Sequence, residues 1–453
     1  MEDTVATTSS ASQRRTRTRS NPAPQTGGAK LGRPVAVLGG NRTPFARSFT
    51  AYKDSNVLDM LTAALQGLVN RFDLHGEQLG AVVGGGVAKD PAYFNLTREA
   101  VLSSGLSPYT PTWDLQQACG TSLRATADVA NEIALGRIEV GVGSGVDSYS
   151  IPAAGIPEGL IKIGQRLQTA KSLKERLQLI ASIRPGSFAL QMSAGERRTG
   201  LTMGESAAIT SKQFGITRQA QDELALASHK NLAAAYERGF FDDLITPYQG
   251  LVRDNNLRPD LTLEKLAKLK PVFGVRAGDA TMTAGNSTAF TDGAAAALLS
   301  SDEWAAERGL PVLAHLVDVE VGAVDYVSGT DGLLMAGTYA VPRLLARNGL
   351  ALQDFDVYEI HEAFASVVLC HLKAWSSEEY CKEKLGLDAP LGEIDRSKLN
   401  TVGSSLGIGH PFGATGARVV AQVAKQLAER GSGRALVSIC EAGGQGITAI
   451  LER

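Results

Sequence analysis

The stretch ATGARVVAQVAKQLAERGSGRALVSICEAGG (414–444) has a counterpart far upstream, ATADVANEIALGRIEVGVGSG (125–145). Each reads as an Ala- and Val-rich helix, a turn near a Gly and an Arg, and a strand ending in small residues. Working outward, the same order recurs on both sides. Upstream, VAVLGG (35–40), AVVGGG (81–86) and VGVGSG (140–145) read as buried strands entering Gly-rich loops, with helix-like stretches at 56–70 and 122–136. Downstream, VLAHLVDVEVG (312–322), FDVYEIHE (355–362) and ALVSIC (435–440) are strand-like and 414–430 is helix-like. The pattern predicts a duplicated α/β unit: two mixed sheets packed with helices, both delivering loops from strand C-termini to one site. The predicted organisation is a tail over 1–32, a first core half over 33–150 completed by 275–305, an insertion over 151–274, and a second half over 306–453. The insertion is charged and helical, and Pro185–Gly186 breaks its first helical part.

Composition narrows the function classes. The 453 residues are 43% hydrophobic and 20% charged, enough for a packed core. A net charge of −2 provides no overall basic field for nucleic acid. No apolar run approaches the roughly 20 residues that span a bilayer. Four cysteines, Cys119, Cys370, Cys381 and Cys440, form no CxxC pair and fit a reducing compartment. Residues 1–32 are rich in Ser, Thr, Pro, Gly and Arg with almost no large apolar side chain, and read as a disordered tail. Glu2, Asp3 and the lack of an apolar helical face speak against a transit peptide. The expected location is the cytoplasm, with the mitochondrial matrix as the alternative.

Three Gly-flanked segments carry candidate chemistry. Cys119 lies in DLQQACGTSLRA (114–125), where a strand end runs into a helix whose N-terminus favours a thiolate; the alternative is a small buried cysteine filling the core. His410 lies in SSLGIGHPFGATGAR (404–418), with Pro411 suited to the first helical position. Gly407, Gly409 and Gly413 come near a dinucleotide loop, yet Pro411 removes an N–H where phosphate would need one. Cys440 ends a strand in ALVSICEAGGQG (435–446), and a phosphate loop there would lack its Lys and Ser/Thr. His361 follows a strand in YEIHEAF (358–364). The set His361, Cys370, His371 and Cys381 matches no zinc spacing, so no metal site is expected.

Together these segments resemble the thiolase family, from about residue 33 to 453. QQACGTSLRA looks like its nucleophile segment, GIGHPFGATGAR its GHP motif and CEAGGQG its second-cysteine motif; AGDATMTAGNSTAFTDGAAAALLSS (277–301) is similar to its TAGN…DGAA stretch. The resemblance implies the thiolase fold, five layers built from two α/β halves with a loop domain inserted. It also implies roles. Cys119 would carry the acyl group as a thioester, His410 would take its proton, and Cys440 would be general acid and base. His361 and His410 would form one oxyanion hole, and the backbone N–H groups of Cys119 and Ala442 the other. Met203, Thr288 and Phe364 would line the CoA channel. CoA would be a co-substrate, with no permanently bound cofactor. The implied reaction is thiolysis of 3-ketoacyl-CoA; the alternatives are acetoacetyl-CoA formation or cleavage, a ketoacyl synthase (disfavoured by Cys440), and a non-catalytic lipid carrier or scaffold. HEAF, where most thiolases have NEAF, resembles the β-subunits of the trifunctional fatty-acid oxidation complex and implies a degradative enzyme and a hydratase/dehydrogenase partner. Ala442 stands where Gly is usual, and MGESAA (203–208) matches the family's MGxTAE only in part. A homodimer or homotetramer is expected.

The stretch 160–184 is a separate question. Leu160, Ile163, Leu167, Ala170, Leu173, Leu177 and Ile180 recur every three or four residues, and six basic side chains face the single Glu175. A membrane or partner contact is one reading. The preferred one is a helix packed on the core, with its basic residues near the CoA phosphates.

Overall fold

The computed structural model describes residues 32–151, 158–184 and 195–453; the predicted tail before Gly32 and the Pro185–Gly186 break lie outside them. The first half runs β1 (Ala36–Arg42), β2 (Ala46–Arg47), α1 (Val57–Phe72), β3 (Ala81–Gly84), α2 (Leu96–Ser104), β4 (Thr112–Asp114), α3 (Thr121–Ala134) and β5 (Val140–Asp147). There follow α4 (Glu158–Thr169), α5 (Leu173–Ala181), α6 (Met203–Gln213), α7 (Arg218–Glu237), α8 (Leu263–Ala267), β6 (Pro271–Phe273), β7 (Met282–Thr283), β8 (Thr291–Ser300) and α9 (Asp302–Glu307). The second half comprises β9 (Ala314–Ala323), α10 (Ala336–Asn348), β10 (Val357–Ile360), α11 (Ala365–Ser376), α12 (Glu378–Glu383), α13 (Ser405–Ile408), α14 (Thr415–Arg430), β11 (Arg434–Glu441) and β12 (Gln445–Glu452).

The duplication is visible in the strand order. One half reads β1-β8-β5-β3 and the other β9-β12-β11-β10, the same permutation of equivalent strands. The expected two sheets are joined, however. Ala36 pairs with His315 and Val37 with Ala314, so β1 and β9 make one ten-stranded sheet. Layers form because each element buries one face. In α1 the buried residues Val57, Met60, Leu61, Ala64, Leu65 and Leu68 follow the helical period, and Asn56 and Asp59 close a capping box at its start. That face covers β8 and β1, while α3 and α14 fill the space between the halves, and α10 covers β9 and β12. Outer helices, sheet, central helices, sheet and outer helices give the five layers.

Two glycines set the central layer. A Cβ on Gly416 would run into the backbone of Leu123, and one on Gly143 into that of Thr126. Both contacts need hydrogen in place of a side chain: the first brings the N-terminal turns of α3 and α14 together, and the second seats α3 on β5. The Ala417 N–H then reaches Ser122 Oγ at 2.8 Å.

The stretch 160–184 differs from its preferred reading. It forms two helices, with Ser172 capping the second, and α5 has no buried residue. Leu173 is 73% and Leu177 58% exposed, so this apolar edge is not packed on the chain's own core. Among the described residues no helix is long and apolar enough to cross a membrane.

Candidate active site

Cys119 sits in a tight turn ahead of α3. Its predecessor Ala118 has φ 41, a left-handed conformation that costs an L-residue roughly 1 kcal/mol. The turn is held by Gly120 N–H to Gln117 O (2.9 Å), Thr121 Oγ–H to Ala118 O (2.7 Å) and Gln117 N–H to Thr121 Oγ1 (3.0 Å). The helix terminus does not decide the charge of the thiol. Burial, then the neighbouring Cys440 and Glu441, raise it well above the ordinary thiol range, against the Ala442 backbone N–H, which favours the thiolate. Of the two candidate oxyanion-hole amides, that of Ala442 is the one that reaches the Cys119 sulfur.

Cys440 lies near the end of β11, and its hairpin with β12 pairs Glu441 with Gln445. Only residues 442–444 remain to turn the chain, and Gly443 and Gly444 take φ 77 and φ 71. The thiol is buried in an apolar cluster with Phe364 and Leu334, against which Met203 packs, and is pushed up to about 12 by burial, then by Glu441. It is a neutral acid at pH 7.

His410 does not open a helix directly: Pro411 precedes a 3-10 turn, Phe412–Ala414, and α14 starts at Thr415. His410 Nδ1 lies 2.7 Å from Thr415 Oγ1, and its backbone N–H donates to Thr291 Oγ1 at 2.7 Å. Its Nε2 is 3.3 Å from His361 Nε2, so HEAF and GHP meet ring to ring. Burial, then Arg418, pushes His410 down to about 3; burial, His410 and Arg418 hold His361 well below its ordinary range. Two neutral rings at this distance need one N–H between them.

A buried polar chain assigns it. Arg418 Nη1 donates to Glu359 at 2.9 Å and Nη2 to Ser405 Oγ at 3.0 Å; the Ser405 hydroxyl then has its acceptor in His361 Nδ1, 3.0 Å away. His361 accordingly carries its proton on Nε2 and donates it to His410 Nε2, while His410 keeps its own on Nδ1 toward Thr415. His410 Nε2 is a lone pair, suited to accept a proton. Next to His361, Glu362 accepts from Ser228 Oγ (2.6 Å), Asn400 Nδ2 (2.7 Å) and Leu406 N (3.1 Å), anchoring the HEAF turn.

The TAGN…DGAA stretch joins these parts. Phe290 bridges to His410, Ser287 to Phe364, and Thr288 donates its N–H and hydroxyl to Ala363 O. A cavity of about 340 Å3 opens here, lined by Thr288, Phe273, Phe290 and His229, with Arg47 and the exposed Arg258 among its walls. Of the CoA-site candidates, Thr288 lines it and Phe364 packs edge-to-face on Phe273 (5.8 Å); Met203 lies on the Cys440 side. The four rejected metal candidates diverge: His371 meets Leu334 O and Cys381 the carbonyls of Ala374 and Trp375. Among the described residues no three His, Cys, Asp or Glu side chains converge on a metal position.

Sequence reading missed Ser405, Arg418, Glu359, Gln117 and Glu441. One signal was available: Arg418, Gln422 and Gln426 recur every four residues on an otherwise apolar helix, a polar stripe that must be partnered if buried.

Two neighbouring thiols, a neutral imidazole pair and a backbone amide at one sulfur are the groups that acyl transfer through cysteine needs. The family models described as "Thiolase, N-terminal domain" and "Thiolase, C-terminal domain" match residues 35–303 and 310–453. The 3-ketoacyl-CoA thiolases of Pectobacterium atrosepticum and Yersinia pestis are 39% and 37% identical, over 92% of this chain and 96% of theirs. The crystal structure of human mitochondrial 3-ketoacyl-CoA thiolase in complex with CoA superimposes with a TM-score of 0.75 at 27% identity, covering 93% of this chain and 98% of that one. Bacillus anthracis acetyl-CoA acetyltransferase gives a TM-score of 0.75 at 30% identity, over 94% and 100%. The chain belongs to the thiolase family.

Proposed function

We propose that this chain cleaves 3-ketoacyl-CoA with CoA to acetyl-CoA and an acyl-CoA shortened by two carbons. The observation that carries the reading is the set of groups present: two neighbouring thiols, Cys119 and Cys440, and an imidazole lone pair with a neighbouring N–H donor. In the first half-reaction the Cys119 proton passes to His410 Nε2 and the sulfur attacks the 3-keto carbon. The Cys119 and Ala442 N–H groups steady the 3-keto oxygen, and the His361 and His410 N–H groups steady the oxygen of the enolate that departs. The C2–C3 bond breaks, its electron pair forms the acetyl-CoA enolate, and Cys440 protonates the enolate carbon. In the second half-reaction the Cys440 thiolate takes the proton of CoA, whose sulfur attacks the acyl carbon held near the Cys119 and Ala442 amides. Cys119 leaves and recovers its proton from His410. Protons and electrons balance over the cycle.

The relatives named as 3-ketoacyl-CoA thiolases support this substrate class, and His361 in HEAF supports the degradative direction. Arg47 and Arg258 at the cavity support placement of CoA phosphates there, beside Thr288, with Phe364 and Met203 further in. Likeness to the Bacillus anthracis enzyme favours a second reading, turnover of acetoacetyl-CoA. The domain division, 33–150 with 275–305, 151–274 and 306–453, remains part of this proposal. So do a cytoplasmic location, which the bacterial relatives support, and a homodimer or homotetramer, which the open edge strand β4 with its exposed Trp113 supports. The hydratase/dehydrogenase partner rests on HEAF alone. Thiolysis of acetoacetyl-CoA and of a long-chain 3-ketoacyl-CoA, by wild type and Cys119→Ala, tests the function. Fast long-chain cleavage that Cys119→Ala abolishes supports it; preference for acetoacetyl-CoA moves the role to the second reading.

A further inference from the structure

Glu441 is a buried acid in the site that the thiolysis cycle does not use. It ends β11, is 0% exposed, and by strand alternation points away from the side that Cys440 occupies. Its carboxyl reaches across to the other half of the molecule. Gln117 Nε2 lies 3.1 Å from both Glu441 oxygens, two residues before the nucleophile. The carboxyl, Oε1 foremost, also fills the space where Gly120 would carry a Cβ, and Ile447 Cγ2 of β12 lies against the same space. Gly120 has φ −90, which any residue adopts, so it is the packing of the acid and of Ile447 that requires a glycine here. One neutral amide is a thin set of partners for a buried carboxylate, which ordinarily gathers a cation or several N–H donors.

Resting on the reading of Cys119 as the acyl carrier, the geometry points to Glu441 as a positioning residue for that cysteine. As a neutral acid clamped by Gln117 it holds the Cys119 turn against the Cys440 loop; as a carboxylate it suppresses thiolate formation at Cys119. The groups around it agree. The titratable neighbours are Cys119 and, beyond it, Asp147 from the first half, with Cys440 on its own strand, and each of these becomes negative or is already acidic. No cation among the described residues offsets the burial that lifts Glu441 to about 8; only the Gln117 amide opposes it. The carboxyl is therefore neutral at pH 7 and gains its charge just above.

The test uses the full chain and two readouts, the pH profile of iodoacetamide alkylation at Cys119 and that of thiolysis. Glu441→Gln keeps the shape and an acceptor for Gln117 but cannot ionise. It should move half-maximal alkylation of Cys119 down by about one pH unit, about tenfold faster alkylation at pH 9, and remove the alkaline fall of kcat with KM unchanged. Gln117→Met removes the amide that favours the carboxylate and should push the alkaline fall of the wild type to higher pH, an independent check should Glu441→Gln not fold. Alkylation and kcat profiles that coincide with wild type in whichever variant folds would overturn the proposal. Normal alkylation shifts without thiolysis of any 3-ketoacyl-CoA would instead sink the functional reading and leave the positioning role standing.

Discussion

At the residue scale, the site keeps its thiols and imidazoles neutral. Burial raises both thiols and lowers both imidazoles, so the resting site holds no unpaired charge in a medium where such a charge is costly. Ser405 is the joint between the Arg418–Glu359 pair and the His361–His410 imidazoles. Ser405→Ala frees His361 Nδ1 to become the protonated nitrogen, which removes the N–H aimed at His410. The expected outcome is a kcat about tenfold lower with little change in KM, matching the loss of one buried hydrogen bond worth roughly 1–2 kcal/mol. Steady-state kinetics of the variant check it; an unchanged kcat would mean that Ser405 does not set the tautomer. Cys119, His410 and Cys440 were legible because each sits in a Gly-flanked local motif. Their supports were not, since Gln117 and Glu441 are separated by 324 residues and Arg418 and Glu359 by 59. Only the folded chain brings those partners together.

At the element scale, the site depends on how closely α3 and α14 approach. Gly416→Val should drive the helices apart at Leu123 and lower stability by at least about 2 kcal/mol, read as a shift in denaturant midpoint, with loss of activity at temperatures where the variant is still folded. The triple substitution Leu173→Ser, Leu177→Ser, Ile180→Ser should change stability by less than about 0.5 kcal/mol, since α5 buries none of them in its own chain. A large loss there would show that another surface covers α5. The strands and helices on either side of the duplication were readable to within a few residues, because small and branched apolar runs and helical periodicity report burial directly. Two features were not: the 3-10 turn after Pro411, because proline suits both helix starts, and the exposure of α5, because an amphipathic pattern reports an apolar face without saying what covers it.

At the scale of the whole molecule, the buried titratable groups bound stability on both sides. His229 and His371, lowered to about 4, and His410, to about 3, owe their shifts first to burial. In the unfolded chain each binds its proton near 6.5, so their contribution is fully present above about pH 6.5 and is lost as pH falls toward 3. Asp147, Glu362 and Glu441 are raised by burial to about 6, 7 and 8. The folded state holds those protons more tightly, so their contribution is present below about pH 4 and is lost as pH rises through 6 to 8. Thermal midpoints measured from pH 4 to 9 should therefore peak between about 5 and 7. A midpoint that climbs steadily to pH 9 would mean that these carboxyls ionise without cost. The duplicated α/β unit was legible in the sequence and the five layers followed from the resemblance, while the joining of the halves through β1 and β9 was not legible, because four residues of edge pairing leave no periodic signal.

The most direct measurement is intact-protein and peptide mass spectrometry after mixing the chain with a long-chain 3-ketoacyl-CoA in the absence of CoA. The account predicts one acyl group per chain, on Cys119, with one equivalent of acetyl-CoA released, and discharge of the acyl group when CoA is added. Cys119→Ala should show neither. An acyl group found on Cys440, or acetyl-CoA released with no adduct on Cys119, would contradict it.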